Sequence, residues 1–287
     1  MKTQFILENG SGDVNEDFIV LENNLFGVFD GATSLDNQTY NHGKTGGLIA
    51  SATAGSVFAK NHYPLATLAR SANRAIYKQM LNHGVNFSKK ENLWSTSAAV
   101  VRVKENALEW VQTGDCFIIL IYRDNSHKVL VEKDDHDYET LSLWKKEAKN
   151  KSAVAVGSVK TGESGTRLDK TRISEVLMEQ IRKTRSGMNK NYGVLNGEKE
   201  ADSFLNHGHE SLNRVKEVLL FTDGLSIPRE TPGKSKEFKT LIDNYLRLGL
   251  NGLKNKIREM EQTDPDCSIY PRFKCHDDIA AIAIREF

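Results

Sequence analysis

The chain has 287 residues, 39% hydrophobic and 27% charged, the composition of a globular protein with room for one large domain or two small ones. Lys plus Arg number 39 against 38 Asp plus Glu, a net charge of +1, so there is no basic surface for a nucleic-acid backbone or an anionic membrane. The three cysteines, Cys116, Cys267 and Cys275, are odd in number and scattered, which argues against a disulfide framework and for buried or idle thiols in a cytoplasmic protein. The Cys275-His276 pair lacks the partner pair that a zinc site needs. The opening MKTQFILENG is too short in its apolar run for a signal-peptide core, and no apolar run approaches the length of a membrane span.

The first elements read strand, turn, strand, helix. Phe18 to Leu21 and Leu25 to Phe29 are short apolar runs, and Asn23-Asn24 between them suits the positive φ of a tight hairpin turn. The run GKTGGLIASATAGSVFAK is rich in small residues and helix-like, and a second helix is predicted from Pro64, a favoured first-turn residue, to about Leu81. From Ser97 the runs SAAVVRV, ALEWVQT, FIILIY and KVLVEK, broken by KEN, GDC and RDNSH, predict an antiparallel meander. Residues of about 134–215 are polar, lysine-rich and glycine-broken, with weak helix signals from Ile173 to Arg182, and read as a flap-like insertion. Within it, His207-Gly-His209 reads as a polar loop, and the stretch around Tyr192 as a lid or an inert surface insertion. EVLLFTDG is a buried strand ending in a turn, Ser235 to Glu261 carries a helical apolar face, and DDIAAIAIREF is a last strand. Without repeats or a linker, residues 1–287 are expected to form one domain, and segregated strand and helix blocks predict layered antiparallel sheets with helices outside.

Acidic residues stand at the strand ends. A two-residue turn at Asn23-Asn24 pairs Glu22 with Leu25 and, counted outward, brings Asp17 opposite Asp30. Opposed residues of an antiparallel pair lie about 4.5–5.5 Å apart at Cβ, so two like charges there are locally unfavourable. Asp115 in Thr113-Gly114-Asp115, Asp223-Gly224 after VLLFT, and Asp277-Asp278 before the last strand repeat the pattern. Any one of these corners is an ordinary turn, but four beside strongly apolar strands point to function. Carboxylates and a backbone carbonyl, without a His/Cys cluster, make an oxygen-rich site for Mg²⁺ or Mn²⁺. Two ions sharing one carboxylate would lie about 3.5–4 Å apart and could activate water for in-line attack on phosphorus.

In order, the motifs N-E-D, V-F-D-G, T-G-D, F-T-D-G and D-D-I resemble those of the PP2C (PPM) family of metal-dependent protein serine/threonine phosphatases, from Asn15 to Ile284. The resemblance implies an α+β fold, a four-layer αββα sandwich of two packed antiparallel sheets flanked by helices. It also implies two Mn²⁺ or Mg²⁺ ions, with a weaker third in some members. By that likeness Asp30 bridges both metals, the Gly31 carbonyl binds one, and Asp223 and Asp277 complete the other's shell. Glu16 and Asp17 act through metal-bound waters, Asp115 matches a residue that helps hold the third metal, and Asp278 stands where the family has Asn or Asp. The implied reaction is attack of a metal-bridging hydroxide on a phosphomonoester, on phosphorylated protein substrates, with no cysteine nucleophile.

Two departures bear on the substrate. Gly12 stands where the family commonly has a phosphate-binding arginine, and Ala32 where many members have a histidine after the metal-binding Asp-Gly. Lys44 and Arg185 are candidate replacement cations, and His42 a candidate proton donor to the leaving group. The same departures leave open a catalytically weak regulatory binding module, and a phosphatase of small phosphorylated metabolites.

Overall fold

Strands that are apolar at every position need cover on both faces, and the layering of the chain supplies it. The structure is a computed structural model that describes residues 1–32, 35, 36, 38–157 and 166–287, with side chains described outside 149–174. In chain order it forms β1 (Lys2–Glu8), β2 (Phe18–Glu22), β3 (Leu25–Gly31), the short pair β4 (Thr39–Tyr40) and β5 (Lys44–Thr45), then α1 (Gly46–Phe58) and α2 (Leu65–Asn82). There follow β6 (Thr96–Lys104), β7 (Ala107–Thr113), β8 (Phe117–Tyr122), β9 (His127–Val129), α3 (Tyr138–Gly157) and α4 (Thr166–Ser186). The chain closes with β10 (Asn206–Ser211), β11 (Val215–Phe221), α5 (Lys239–Gln262) and β12 (Ile279–Arg285).

Two five-stranded antiparallel sheets result, in the orders β1-β12-β11-β8-β9 and β10-β7-β6-β3-β2. Period-two alternation divides each central strand between two cores. Phe26 and Val28 of β3 meet Ile118 and Leu120 of β8 and Leu220 of β11 between the sheets. Leu25 and Phe29 of β3 face the other way, onto Ala50 and Phe58 of α1 and Ile76 of α2. Ile119, Leu219 and Phe221 pack under Leu241, Tyr245 and Leu253 of α5. The four layers are therefore helix, sheet, sheet, helix, the α+β sandwich that the resemblance implies. Among the described residues, no helix is long and apolar enough to cross a membrane.

The β2–β3 hairpin keeps the predicted register, with Glu22 opposite Leu25 and Phe18 opposite Phe29, so Asp17 and Asp30 leave the ladder together. Of the two turn asparagines only Asn23 takes a positive φ, of 47°. The predicted meander is corrected. β6 and β7 lie in one sheet and β8 and β9 in the other, so the chain changes sheets at Gly114-Asp115. Gly114 has φ 68°, and a Cβ there would stand 2.1 Å from the Ser97 hydroxyl, so the crossing needs glycine.

The flap-like reading of residues 134–215 is also narrowed. Part of that range, 158–165, lies outside the described residues. Beyond α4, Met188, Val194 and Leu195 are buried in the α1/α2 core, and Leu195 bridges to Thr96. The stretch around Tyr192 is thus packed in, neither a lid nor a surface insertion. His207 and His209 are exposed as expected but sit on β10, which pairs with β7 at the sheet edge. NHGHES has no apolar alternation to announce a strand, because an edge strand's place is set by its neighbour's backbone.

Candidate active site

Strand termini bring the acidic corners to one end of the sandwich. Asp30 and Gly31 close β3, Asp115 sits at the crossing from β7 to β8, Asp223 follows β11, and Asp277 precedes β12. All five line one cleft of about 840 Å³. Glu16 and Asp17, 3% and 5% exposed, are buried behind it.

Hydroxyl groups and backbone amides hold the buried acids. The Asn15 side chain accepts the Asp17 N–H at 2.9 Å, and the Thr222 hydroxyl donates to the Asp17 carboxylate at 2.7 Å. Thr45 caps α1 by accepting from the Leu48 N–H at 3.2 Å, and donates its own hydroxyl proton to Glu16 at 2.6 Å. The Ser97 hydroxyl donates to Asp115 at 2.6 Å. Asp278, 3% exposed, accepts the Gly10 N–H at 2.7 Å on one oxygen and the Glu16 N–H at 3.0 Å on the other. It ties the N-terminal loop to the start of β12. Gly31 is required by close approach, since a Cβ there would lie 2.4 Å from the Gly47 carbonyl oxygen and 2.6 Å from that of Glu16.

The electrostatics of this corner demand a cation. Burial, reinforced by the charges of Asp277, Asp278 and Asp223, raises the Asp17 pKa well above the carboxylate range. Burial together with Asp17 and Asp223 does the same to Asp30. Burial and the neighbouring Asp115 and Asp277 push Asp223 up to about 8. Among the described residues no lysine, arginine or histidine forms an ion pair with Asp17, Asp30 or Asp223. Lys274 reaches Asp277 and Lys236 lowers the Asp223 pKa from a distance, but neither ion-pairs with Asp17, Asp30 or Asp223, and such clustered carboxylate oxygens fit hard divalent ions such as Mg²⁺ and Mn²⁺.

A second group escaped the sequence reading. Asp115, His136 and Asp137 each offer a ligand atom within 4.8 Å of the others. His136 stands 3.6 Å from both carboxylates, and its ring stacks on Tyr192 with centroids 4.0 Å apart and planes 4° off parallel. Burial lowers the His136 pKa, but Asp137 and Asp115 outweigh it and raise the value above the ordinary one. Asp135 anchors the group by an ion pair to Lys236 at 3.1 Å. The run Asp134-Asp135-His136-Asp137 was the available signal, hidden inside a stretch that read as polar insertion.

The candidate substrate residues separate. Arg185 lines the cleft, from the last turn of α4. Lys44 is exposed on β5, and His42 is exposed at φ 67° in the turn before it; neither lines the cleft. Trp94 and Trp110 are buried, whereas Trp144 forms part of the cleft wall. Lys274, unremarked in the sequence, also lines the cleft, with its ammonium 3.0 Å from Asp277, 3.7 Å from Asp278 and 3.9 Å from Glu16.

The fold and its cleft define a helix-flanked double-sheet sandwich with an oxygen-rich, cation-demanding corner. The chain belongs to the protein phosphatase 2C family, whose profile matches residues 9–260. Asp277 lies beyond that match and owes its place in the cleft to the fold. Comparison with curated protein sequences found no match. Among solved structures, the serine/threonine phosphatase PstP/Ppp of Mycobacterium tuberculosis is similar at 15% identity and TM-score 0.57, covering 100% of this chain and 99% of that one. Stp1 of Staphylococcus aureus, a serine/threonine phosphatase, is similar at 16% identity and TM-score 0.52, covering 100% and 95%. The PstP catalytic domain solved with two manganese ions has TM-score 0.56 at 15% identity, covering 98% and 96%. At such identities these likenesses speak for the fold.

Proposed function

We propose that the chain is a divalent-metal-dependent phosphomonoester hydrolase that acts on phosphoserine and phosphothreonine in proteins. Family membership supports the phosphatase chemistry. The observation that carries the reading is the convergence of Asp30, Asp223 and Asp277 on one cleft, where burial and mutual repulsion raise the pKa values of Asp30 and Asp223, although the Lys236 charge partly offsets the rise at Asp223. Asp30, the Gly31 carbonyl, Asp223 and Asp277 would hold two Mn²⁺ or Mg²⁺ ions, with Glu16 and Asp17 acting behind them through water. Asp115, with His136 and Asp137, is the place for a weaker third ion. When bound, such ions neutralise phosphoryl charge and lower the pKa of water.

The chain's own groups supply positioning. Thr222 fixes Asp17, Thr45 fixes Glu16 and Ser97 fixes Asp115, so each carboxylate meets its ligand already oriented. Hydrolysis forms one P–O bond from water and breaks the ester P–O bond, with the proton passing to the departing alkoxide. All of residues 1–287 act as one phosphatase unit in this reading, and the three scattered cysteines suit a reducing compartment such as the cytoplasm.

The test is hydrolysis of an aryl phosphate and a phosphothreonine peptide with Mn²⁺, repeated with chelator and with Asp30→Ala and Asp223→Ala. Activity that survives chelation, or that is unchanged in both variants, overturns the proposal. A non-catalytic binding module is the poorer reading, because all the acids of the corner are present and oriented. Preference for a phosphorylated metabolite over the phosphopeptide in the same assay would redirect the substrate class alone.

A further inference from the structure

Two side chains of fixed positive charge line the cleft among the described residues, Arg185 and Lys274. Their settings differ. Arg185 extends from α4 and feels the charges of Tyr192, Asp137, Glu16 and Asp36, on the side of the cleft where His136 stacks on Tyr192. Lys274 stands among Glu16, Asp277 and Asp278, at the corner where the phosphoryl group must bind if the metals do.

Each acid around Lys274 also has another hydrogen-bond partner, Asp277 accepting the Asp278 N–H at 2.9 Å. Asp278 already accepts the Gly10 and Glu16 amides, and Glu16 accepts the Thr45 hydroxyl. Of the three carboxylate contacts only that to Asp277, at 3.0 Å, is of hydrogen-bond length. An ammonium has three N–H donors, so two remain for a ligand in the cleft. A lysine in this place also repels divalent cations, a cost that is offset when it contacts an anion bound beside them.

Its segment is held firmly. Asp264 accepts the Ser268, Ile269 and Tyr270 amides at 2.8–3.1 Å and the Arg272 guanidinium at 2.8 Å. The same segment is bonded to the N-terminal loop through Ser11 N–H to the His276 carbonyl at 2.8 Å. That loop carries Gly12, where an arginine was expected. A cation presented from the adjoining segment reaches the same corner.

We propose that Lys274 grips the phosphoryl group of the substrate, taking the part that the N-terminal loop leaves open at Gly12. The assignment rests on the phosphatase reading above. It makes Lys274 a substrate-binding residue, where the alternative is a local counter-ion for Asp277.

The experiment uses the full chain saturated with Mn²⁺, as wild type, Lys274→Gln and Lys274→Arg. Calorimetry measures the Kd of inorganic phosphate and, separately, of Mn²⁺; steady-state assays with p-nitrophenyl phosphate measure KM and kcat. Losing one charge-assisted hydrogen bond should weaken phosphate binding and raise KM about tenfold or more in Lys274→Gln. Mn²⁺ should bind that variant as tightly as wild type or more tightly, because a repelling charge has gone, and Lys274→Arg should keep most of the phosphate affinity. Unchanged phosphate affinity in Lys274→Gln beside an active wild type overturns the lysine's role alone. So does a loss of Mn²⁺ affinity that matches the loss of phosphate affinity, which would make the residue structural. A wild-type chain that hydrolyses no phosphomonoester overturns both readings.

Discussion

Two walls of the same cleft hold their acids by different means. At the strand-end wall, Asp30 and Asp223 terminate strands that are buried on both faces. At the other wall, His136 and Asp137 precede α3 and Tyr192 follows α4, all three outside the strands. Stacking on Tyr192 and the Asp135–Lys236 ion pair position that second wall. The difference teaches where precision is needed. A strand inside a double-sided core holds a carboxylate against the repulsion of its neighbours, whereas a loop-borne group is set by a few side-chain contacts.

The largest test strikes the strand-end wall. Asp30→Asn should lower hydrolysis by about 10³-fold or more, measured at saturating Mn²⁺. The same substitution should raise the melting temperature of the metal-free chain, since it removes one of several crowded carboxylates whose ionisation the fold opposes, and should abolish most of the stabilisation by Mn²⁺. A metal-free variant that melts lower than wild type would break the claim that these acids repel one another in the fold.

Beneath that wall, Leu220→Ala between the sheets should cost about 2–5 kcal/mol in denaturant unfolding. Leu220 is fully buried among residues of both sheets, so a cost well under that range would show the sheets to be loosely joined.

The Asp264 anchor gives a pH-dependent test. Burial raises its pKa, but the Tyr270 and Ile269 amides, Arg272 and the Ser268 amide outweigh burial and hold it below the ordinary value. A depressed carboxylate pKa stabilises the fold above the unfolded value of about 3.9, and that contribution is lost as pH falls through the folded value. Asp264→Asn should therefore destabilise the chain at neutral pH by about 1–3 kcal/mol, with the gap to wild type closing toward acid. Melting curves between neutral and strongly acidic pH check it; a gap that widens toward acid contradicts it.

The smallest effect belongs to the loop-borne wall. Tyr192→Leu removes the stack on His136 and should cost about 0.5–1.5 kcal/mol, at most about tenfold in kcat/KM, leaving strand-end Mn²⁺ binding unchanged. A loss as large as that of Asp30→Asn would erase the contrast between the two walls.

How far the site was legible follows the same division. Asp17, Asp30, Asp223 and Asp277 stood out because each stands beside one end of an apolar run, and the hairpin register follows from the two-residue turn at Asn23-Asn24. His136, Asp137 and Lys274 did not stand out, because no hydrophobic period surrounds them and the residues they meet across the cleft, Asp115, Tyr192 and Glu16, are distant in the chain. Lys274 and Glu16 are brought within 3.9 Å by Asp278 joining β12 to the N-terminal loop. The meander failed for a related reason: one strand pattern serves either sheet, and Gly114 decides the crossing.

By itself the sequence determined the strands, the main helices, the acidic ends and their likeness to a family, because local periodicity and turn chemistry are written residue by residue. Only the tertiary structure decided which strands share a sheet, that β10 completes an edge, and which cations reach the cleft. Those choices depend on burial and on hydrogen bonds between distant segments, and an edge strand or a lone lysine carries no local pattern from which to read them.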